Sequence, residues 1–169
     1  MKRRMKRTMY LSVIICIGLF GLIITGCNDT DIGNYSVSFE GVTSYSGGKT
    51  EFIAICGSYG NLAKVCASNG YDFFDCLDNE CDIAECKQLR TYDNEYFKYK
   101  SLILCSFTKG CFYGKYHVDS IEVNDGKLTM YIKSPDTDIG LTVVTSYLLL
   151  VEVDKSFVAG VKNSEYIFT

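Results

Sequence analysis

The chain has no tryptophan, a single histidine (His117) and no internal repeat among its 169 residues. One histidine excludes any site that needs two, paired-imidazole zinc centres included, and leaves one imidazole to activate a nucleophile. No Asp-x-Asp-x-Asp-Gly loop is present to hold calcium. Cys56 is followed by Gly57, but no glycine-rich oxyanion signature accompanies any cysteine. Basic charge is scarce beyond the first residues: five of the 17 basic side chains (Lys2, Arg3, Arg4, Lys6, Arg7) and none of the 20 acidic ones lie in residues 1–26. The remainder holds 12 basic and 20 acidic residues, a net charge of about −8. Phosphate backbones repel a body that acidic, which argues against nucleic acid as a partner, and anionic headgroups keep it from lying flat.

What is present begins with the leader. Five cations precede the apolar stretch Tyr10–Ile24, which ends in Ile24-Thr25-Gly26-Cys27 and is followed by the polar run Asn28-Asp29-Thr30-Asp31. This order reads as a bacterial lipoprotein signal. The cations hold the start of the chain at the cytoplasmic face, the apolar run enters the bilayer, and small Thr25 and Gly26 expose the bond before Cys27 to a peptidase. An uncleaved span would need roughly 17–25 apolar residues, which residues 9–26 approach, but it has no use for a cysteine at its boundary. Two acyl chains on a lipidated Cys27 anchor stably, at about 0.8 kcal/mol per buried methylene. The expected partition is therefore 1–26 as signal peptide, 27–34 as lipidated terminus and linker, and 35–169 as one globular domain on the extracytoplasmic face of the cell membrane. The linker of seven residues, 28–34, extends at most about 25 Å.

Removing the signal and the lipidated residue leaves seven cysteines, an odd number. Cys56 and Cys105 lie in apolar runs, where a thiol packs as a small hydrophobe, and Cys66 falls in a helical pattern. Cys76, Cys81, Cys86 and Cys111 sit in polar or glycine-flanked segments and are the candidates for disulfides, with three connectivities open.

Along the domain, Tyr35, Val37 and Phe39 alternate as in a strand with one buried face. Ser44–Lys49 reads as a loop, and Glu51–Cys56 as a second strand or a lead-in to the helix predicted over Ser58–Ala67, where Leu62, Val65 and Cys66 recur at helical spacing. Gly70 is placed to end that helix. Residues 71–90 mix acids with cysteines five apart, which cannot share a helical face, so a cross-linked loop is expected. Thr91–Phe97 reads as a capped turn offering Tyr92, Tyr96 and Phe97 to a core, leading into the strand Leu102–Phe107. Tyr116–Val123 and Lys127–Lys133 form a hairpin around Asp125-Gly126, with a bulge near Asp119-Ser120 to reconcile two phases. Leu141–Val153 should be a central strand buried on both faces, and Val161–Phe168 the last. The fold class is α+β: a mostly antiparallel sheet of five to seven strands, one packed helix and a cysteine-rich loop.

Three segments carry a resemblance. Tyr92-Asp-Asn-Glu-Tyr-Phe97 before Ser101-Leu-Ile-Leu104, Tyr116-His-Val-Asp-Ser-Ile121 leading into Asn124-Asp-Gly-Lys-Leu-Thr-Met130, and Tyr147–Lys155 occur in an order that resembles the PrcB-like C-terminal domain of bacterial lipoproteins. The resemblance covers roughly residues 50–168. It implies a non-enzymatic extracytoplasmic module whose partner is another protein, with no cofactor.

The same residues leave other chemistry open. A cysteine paired with His117 would be a nucleophile, but the default for His117 is a solvent-facing hairpin position. Cys76, Cys81, Cys86 and Cys111, with His117 as substitute, are four potential zinc ligands, yet their gaps are at the edge of structural zinc spacing. A thiol- or metal-dependent factor using those four is the rival to a binding module. Tyr113, Tyr116, Tyr131 and Tyr147, among 13 tyrosines, suit either a contact surface or ordinary sheet packing, with packing the leading reading.

Overall fold

The computed structural model describes residues 34–42, 51–69, 84–112, 115–135 and 140–169, all within the unit Asp31–Thr169. The signal, Cys27, Cys76, Cys81, the Ser44–Lys49 loop and Tyr113 lie outside them. Seven strands and three helices follow in the order β1 (Tyr35–Val42), β2 (Phe52–Cys56), α1 (Tyr59–Ser68), α2 (Ala84–Leu89), α3 (Tyr96–Tyr99), β3 (Lys100–Phe112), β4 (His117–Asn124), β5 (Lys127–Lys133), β6 (Gly140–Asp154) and β7 (Asn163–Phe168). The α+β, mostly antiparallel class expected from the sequence is what forms. The strands divide between two sheets, and α1 is joined by two shorter helices.

A four-stranded sheet has the order β1-β6-β3-β2, antiparallel throughout, and a three-stranded sheet the order β4-β5-β7. β4 and β5 are antiparallel, whereas β5 and β7 are parallel. A parallel pair needs a crossover, and here the crossing element is β6, a strand of the other sheet. Alternation along β3 and β6 sorts their side chains into two cores. Ile103, Cys105, Phe107, Tyr147, Leu149, Val151 and Val153 face the second sheet, meeting Ile121, Leu128, Met130 and Ile132. Leu102, Leu104, Leu148 and Leu150 face the helices, meeting Leu62, Cys66, Leu89, Tyr92 and Phe97. β3 over Ser101–Phe107 and β6 over Tyr147–Val151 are thus buried on both sides, as expected for the second half of the apolar run, whereas Val144 in its first half is exposed.

Local chemistry sets most element ends. The Ser58 side chain accepts from the Asn61 N–H at the start of α1. Asn69 caps its C-terminus: the Asn69 N–H donates to Val65 O and Cys66 O, and its amide Nδ2 to Val65 O; Gly70, the expected stop, lies outside the described residues. The Asp93 carboxylate accepts from the Tyr96 N–H at 2.8 Å and starts α3. Asp125 and Gly126 both take positive φ (51° and 74°), as the tight hairpin turn demands. The β4–β5 register slips between Val118 and Ser120, where the two phases of β4 required a bulge.

Two expectations change. β1 does not bury one face: its register with β6 slips between Val37 and Phe39, so Tyr35 packs between the sheets, Phe39 packs on the helix side and Val37 is exposed. A bulged residue shifts every later side chain to the other face. The segment 71–90 is not wholly a loop either, because Ala84–Leu89 forms α2 and buries Cys86 and Leu89.

Candidate functional site

The cysteines fall into separate environments. Cys56 ends β2 and Cys66 lies on α1, both in the helix-side core, while Cys105 lies in β3 between the sheets; all three are free and fully buried. Burial pushes the Cys56 thiol up to about 12, with the neighbouring Cys66 adding to it, and pushes Cys66 up to about 12 as well. These thiols stay protonated, which makes them packing groups rather than nucleophiles. Cys86 is fully buried on α2. Cys111 stands in β3. Among the described residues, no three His, Cys, Asp or Glu side chains gather as a metal set.

His117 opens β4, and its ring is about half exposed. Its partner is a carboxylate rather than a thiol. Glu40 on β1 places Oε2 2.6 Å from His117 Nδ1, and Oε1 accepts from the Val118 N–H at 2.9 Å. The Tyr35 hydroxyl donates to Asp119 O at 3.3 Å. On the opposite side of the sandwich the Ser164 hydroxyl donates to Ile53 O. Side chains thus occupy backbone groups along the edges of β4 and β2, which would otherwise invite another strand.

The densest polar cluster centres on Tyr92, which is only 1% exposed. Its hydroxyl lies 2.5 Å from Ser38 Oγ, accepts from Gln88 Nε2 at 3.1 Å and donates to Glu152 Oε1 at 3.4 Å. Ser38 Oγ also lies 3.1 Å from Leu150 O, the alternative acceptor for its one proton. The bulge in β1 and the turn after α2 are therefore pinned to β6 through one phenol. Beside it the Tyr96 hydroxyl donates to Ser101 O. Burial raises the pKa of both tyrosines, with Glu152 adding to it; hydrogen bonds from Ser38 and Gln88 partly offset the rise at Tyr92. Both phenols stay neutral, and the cluster serves as a joint. The sequence reading placed Tyr92 and Tyr96 in the core but missed Ser38, Glu40, Gln88 and Glu152. One signal was available: Glu152 interrupts the apolar run Leu148–Val153, and a carboxylate there requires donors.

Of the four tyrosines singled out in the sequence, Tyr116 and Tyr147 pack between the sheets, whereas Tyr131 is half-buried on the other face of β5 and Tyr113 lies outside the described residues. Phe107, Tyr116, Tyr147, Tyr166 and Phe168 form one aromatic cluster between the sheets, with Phe107 and Tyr147 stacked at 5.4 Å. Lys109 Nζ lies 4.3 Å from the Phe168 ring centroid.

No family model matches the chain, and comparison with the curated proteins and with the solved structures finds no match.

Proposed function

We propose that this chain is an extracytoplasmic lipoprotein: a PrcB-like sheet domain held at the cell membrane by acylated Cys27, acting as a non-enzymatic accessory module that stabilises or restrains a neighbouring surface protein, a protease complex included. The observation that carries the reading is Ile24-Thr25-Gly26-Cys27 at the end of an apolar run, after five cations and before a polar stretch. The fold is compatible with it. β1 begins at Tyr35, eight residues past Cys27, so the linker is short and the sheet domain stands close to its anchor. Buried free thiols and neutral buried phenols suit a molecule that works by surface contact.

Growth with an alkyne fatty acid should mark the wild-type protein. Cys27→Ala should abolish the mark and leave the leader uncleaved; an unmarked wild type whose processing and location ignore Cys27→Ala sinks the reading. Replacing Cys76, Cys81, Cys86 and Cys111 by serine separates it from the rival thiol- or metal-dependent factor, since a framework loses stability whereas a site loses an assayable reaction while folded.

A further inference from the structure

The chain enters the domain at one pole of the four-stranded sheet, and that pole carries the most exposed large hydrophobic side chain among the described residues. Tyr35 pairs with Val153 on β6, and Val153 pairs in turn with Ser101 on β3. One step outward along the strands, Asp154 faces Lys100, and Asn34, the last linker residue, precedes Tyr35. Asn34 therefore stands two strand spacings from Lys100, about 10 Å. Tyr99 comes immediately before Lys100. It is 73% exposed, and its carbonyl accepts from the Lys155 N–H. Lys98, Tyr99, Lys100 and Lys155 thus stand around the point where the linker leaves.

The far pole is different. Beyond Val42 opposite Tyr147, and beyond Phe52 opposite Ser106, β3 and β6 continue as a two-stranded ribbon with exposed Val144 at its side. The thirteen residue steps from Val153 to Gly140 put that end about 40 Å from the linker.

Resting on the lipid-anchored reading, we infer that the Tyr99 pole is a second membrane contact, in which the Tyr99 ring sits at the phospholipid headgroup layer and Lys98, Lys100 and Lys155 reach lipid phosphates. The occupant follows from the chain outside the described structure. A linker of seven residues from a lipidated Cys27 reaches at most about 25 Å, so the pole it enters is the one that faces the bilayer. Tyrosine, with an apolar ring and a polar tip, is the side chain enriched at that depth, and lysines spread their stems on the apolar layer with the ammonium in water. Lys98, Lys100 and Lys155 share this pole with four carboxylates, so lipid phosphates reach Lys98 and Lys100 in competition with Glu95 and Glu152, and the tyrosine ring supplies the apolar part of the contact. Glu95 pairs with Lys98, Glu152 stands near Lys100 and Tyr92, and Asp93 accepts from the Tyr96 N–H. Asp154 remains exposed beside Lys155. Membrane contact is thereby confined to one end of a molecule whose overall acidity keeps its flanks away.

The absence of tryptophan makes the test direct. Tyr99→Trp and Val144→Trp each install a sole indole, in the full-length lipidated protein reconstituted into vesicles of phosphatidylcholine and phosphatidylglycerol. The expected result is a blue-shifted Tyr99→Trp emission that is quenched by brominated phospholipids, and a Val144→Trp emission that is not. Adding Lys98→Glu and Lys155→Glu should diminish the Tyr99→Trp quenching. An unquenched Tyr99→Trp in vesicle-bound protein overturns the inference and leaves the anchor standing. Equal quenching from both positions also overturns it, because the domain would then lie flat. Loss of the anchor itself is read separately, by the fatty-acid label and by flotation of Cys27→Ala.

Discussion

Removing one oxygen atom from Tyr92 tests a joint that reaches Ser38, Gln88 and Glu152 at once. Tyr92→Phe is expected to destabilise the domain by about 1–3 kcal/mol, because buried partners lose their bonds and water cannot replace them; urea unfolding gives the number. If Ser38→Ala then costs far less in the Phe background than alone, the two groups act as one. The buried thiols give a second residue-scale expectation. Their folded pKa values rise from 9.0 to about 12 at Cys56 and Cys66. Above pH 9 the unfolded chain releases protons that the folded chain keeps, so stability is full below that pH. It then declines by up to about 1.4 kcal/mol per pH unit for each thiol as the folded value is approached. Denaturant titrations on either side of pH 9 read this slope, and Cys66→Ser should reduce it. In the native protein an aromatic disulfide reagent should leave Cys56, Cys66 and Cys105 unlabelled until unfolding exposes them.

The β4–β5 hairpin and the start of β7 depend on the same turn. Gly126 O accepts from the Lys162 N–H at 2.8 Å, and a Cβ at Gly126 would meet Gly160 O at 3.2 Å in addition to occupying positive φ. Gly126→Ala should therefore cost about 1–2 kcal/mol and loosen β7 as well as the hairpin. Faster amide exchange over Asn163–Glu165 would show the coupling, whereas exchange confined to residues 124–127 would refute it. This turn was legible in the sequence because Asp-Gly between alternating runs is a local signal, and the same holds for the β4 bulge and the face of α1. The slip in β1 was not legible. Ser38 looks like any polar residue in an alternating strand, and what draws it out of phase is a phenol 54 residues away. α2 was missed because six residues, of which Glu85, Cys86 and Leu89 are buried, are too short to show a helical period among the acids and cysteines around them.

At the scale of the molecule, the partition of seven strands into two sheets was also hidden, since alternation tells a strand which face to bury but not which sheet to join. The parallel β5–β7 pair shares that blindness, its crossover being a strand instead of the usual helix. Glu40 ties the two sheets along one seam by holding the Val118 N–H and His117. Glu40→Ala should speed amide exchange at Val118 selectively and lower stability by about 1 kcal/mol, and a uniform rise across β4 and β5 would instead mean that the whole second sheet has come loose. The opposite placement of the linker and the ribbon along β6 has a mechanical corollary. A pull between residue 34 and the Gly140 end runs parallel to the strands, so the β1–β6 ladder from Tyr35 to Val42 is loaded in shear, with its bonds strained together rather than unzipped in succession. If the proposed anchor holds residue 34, a load on the Gly140 end meets the domain in the direction in which that ladder resists most.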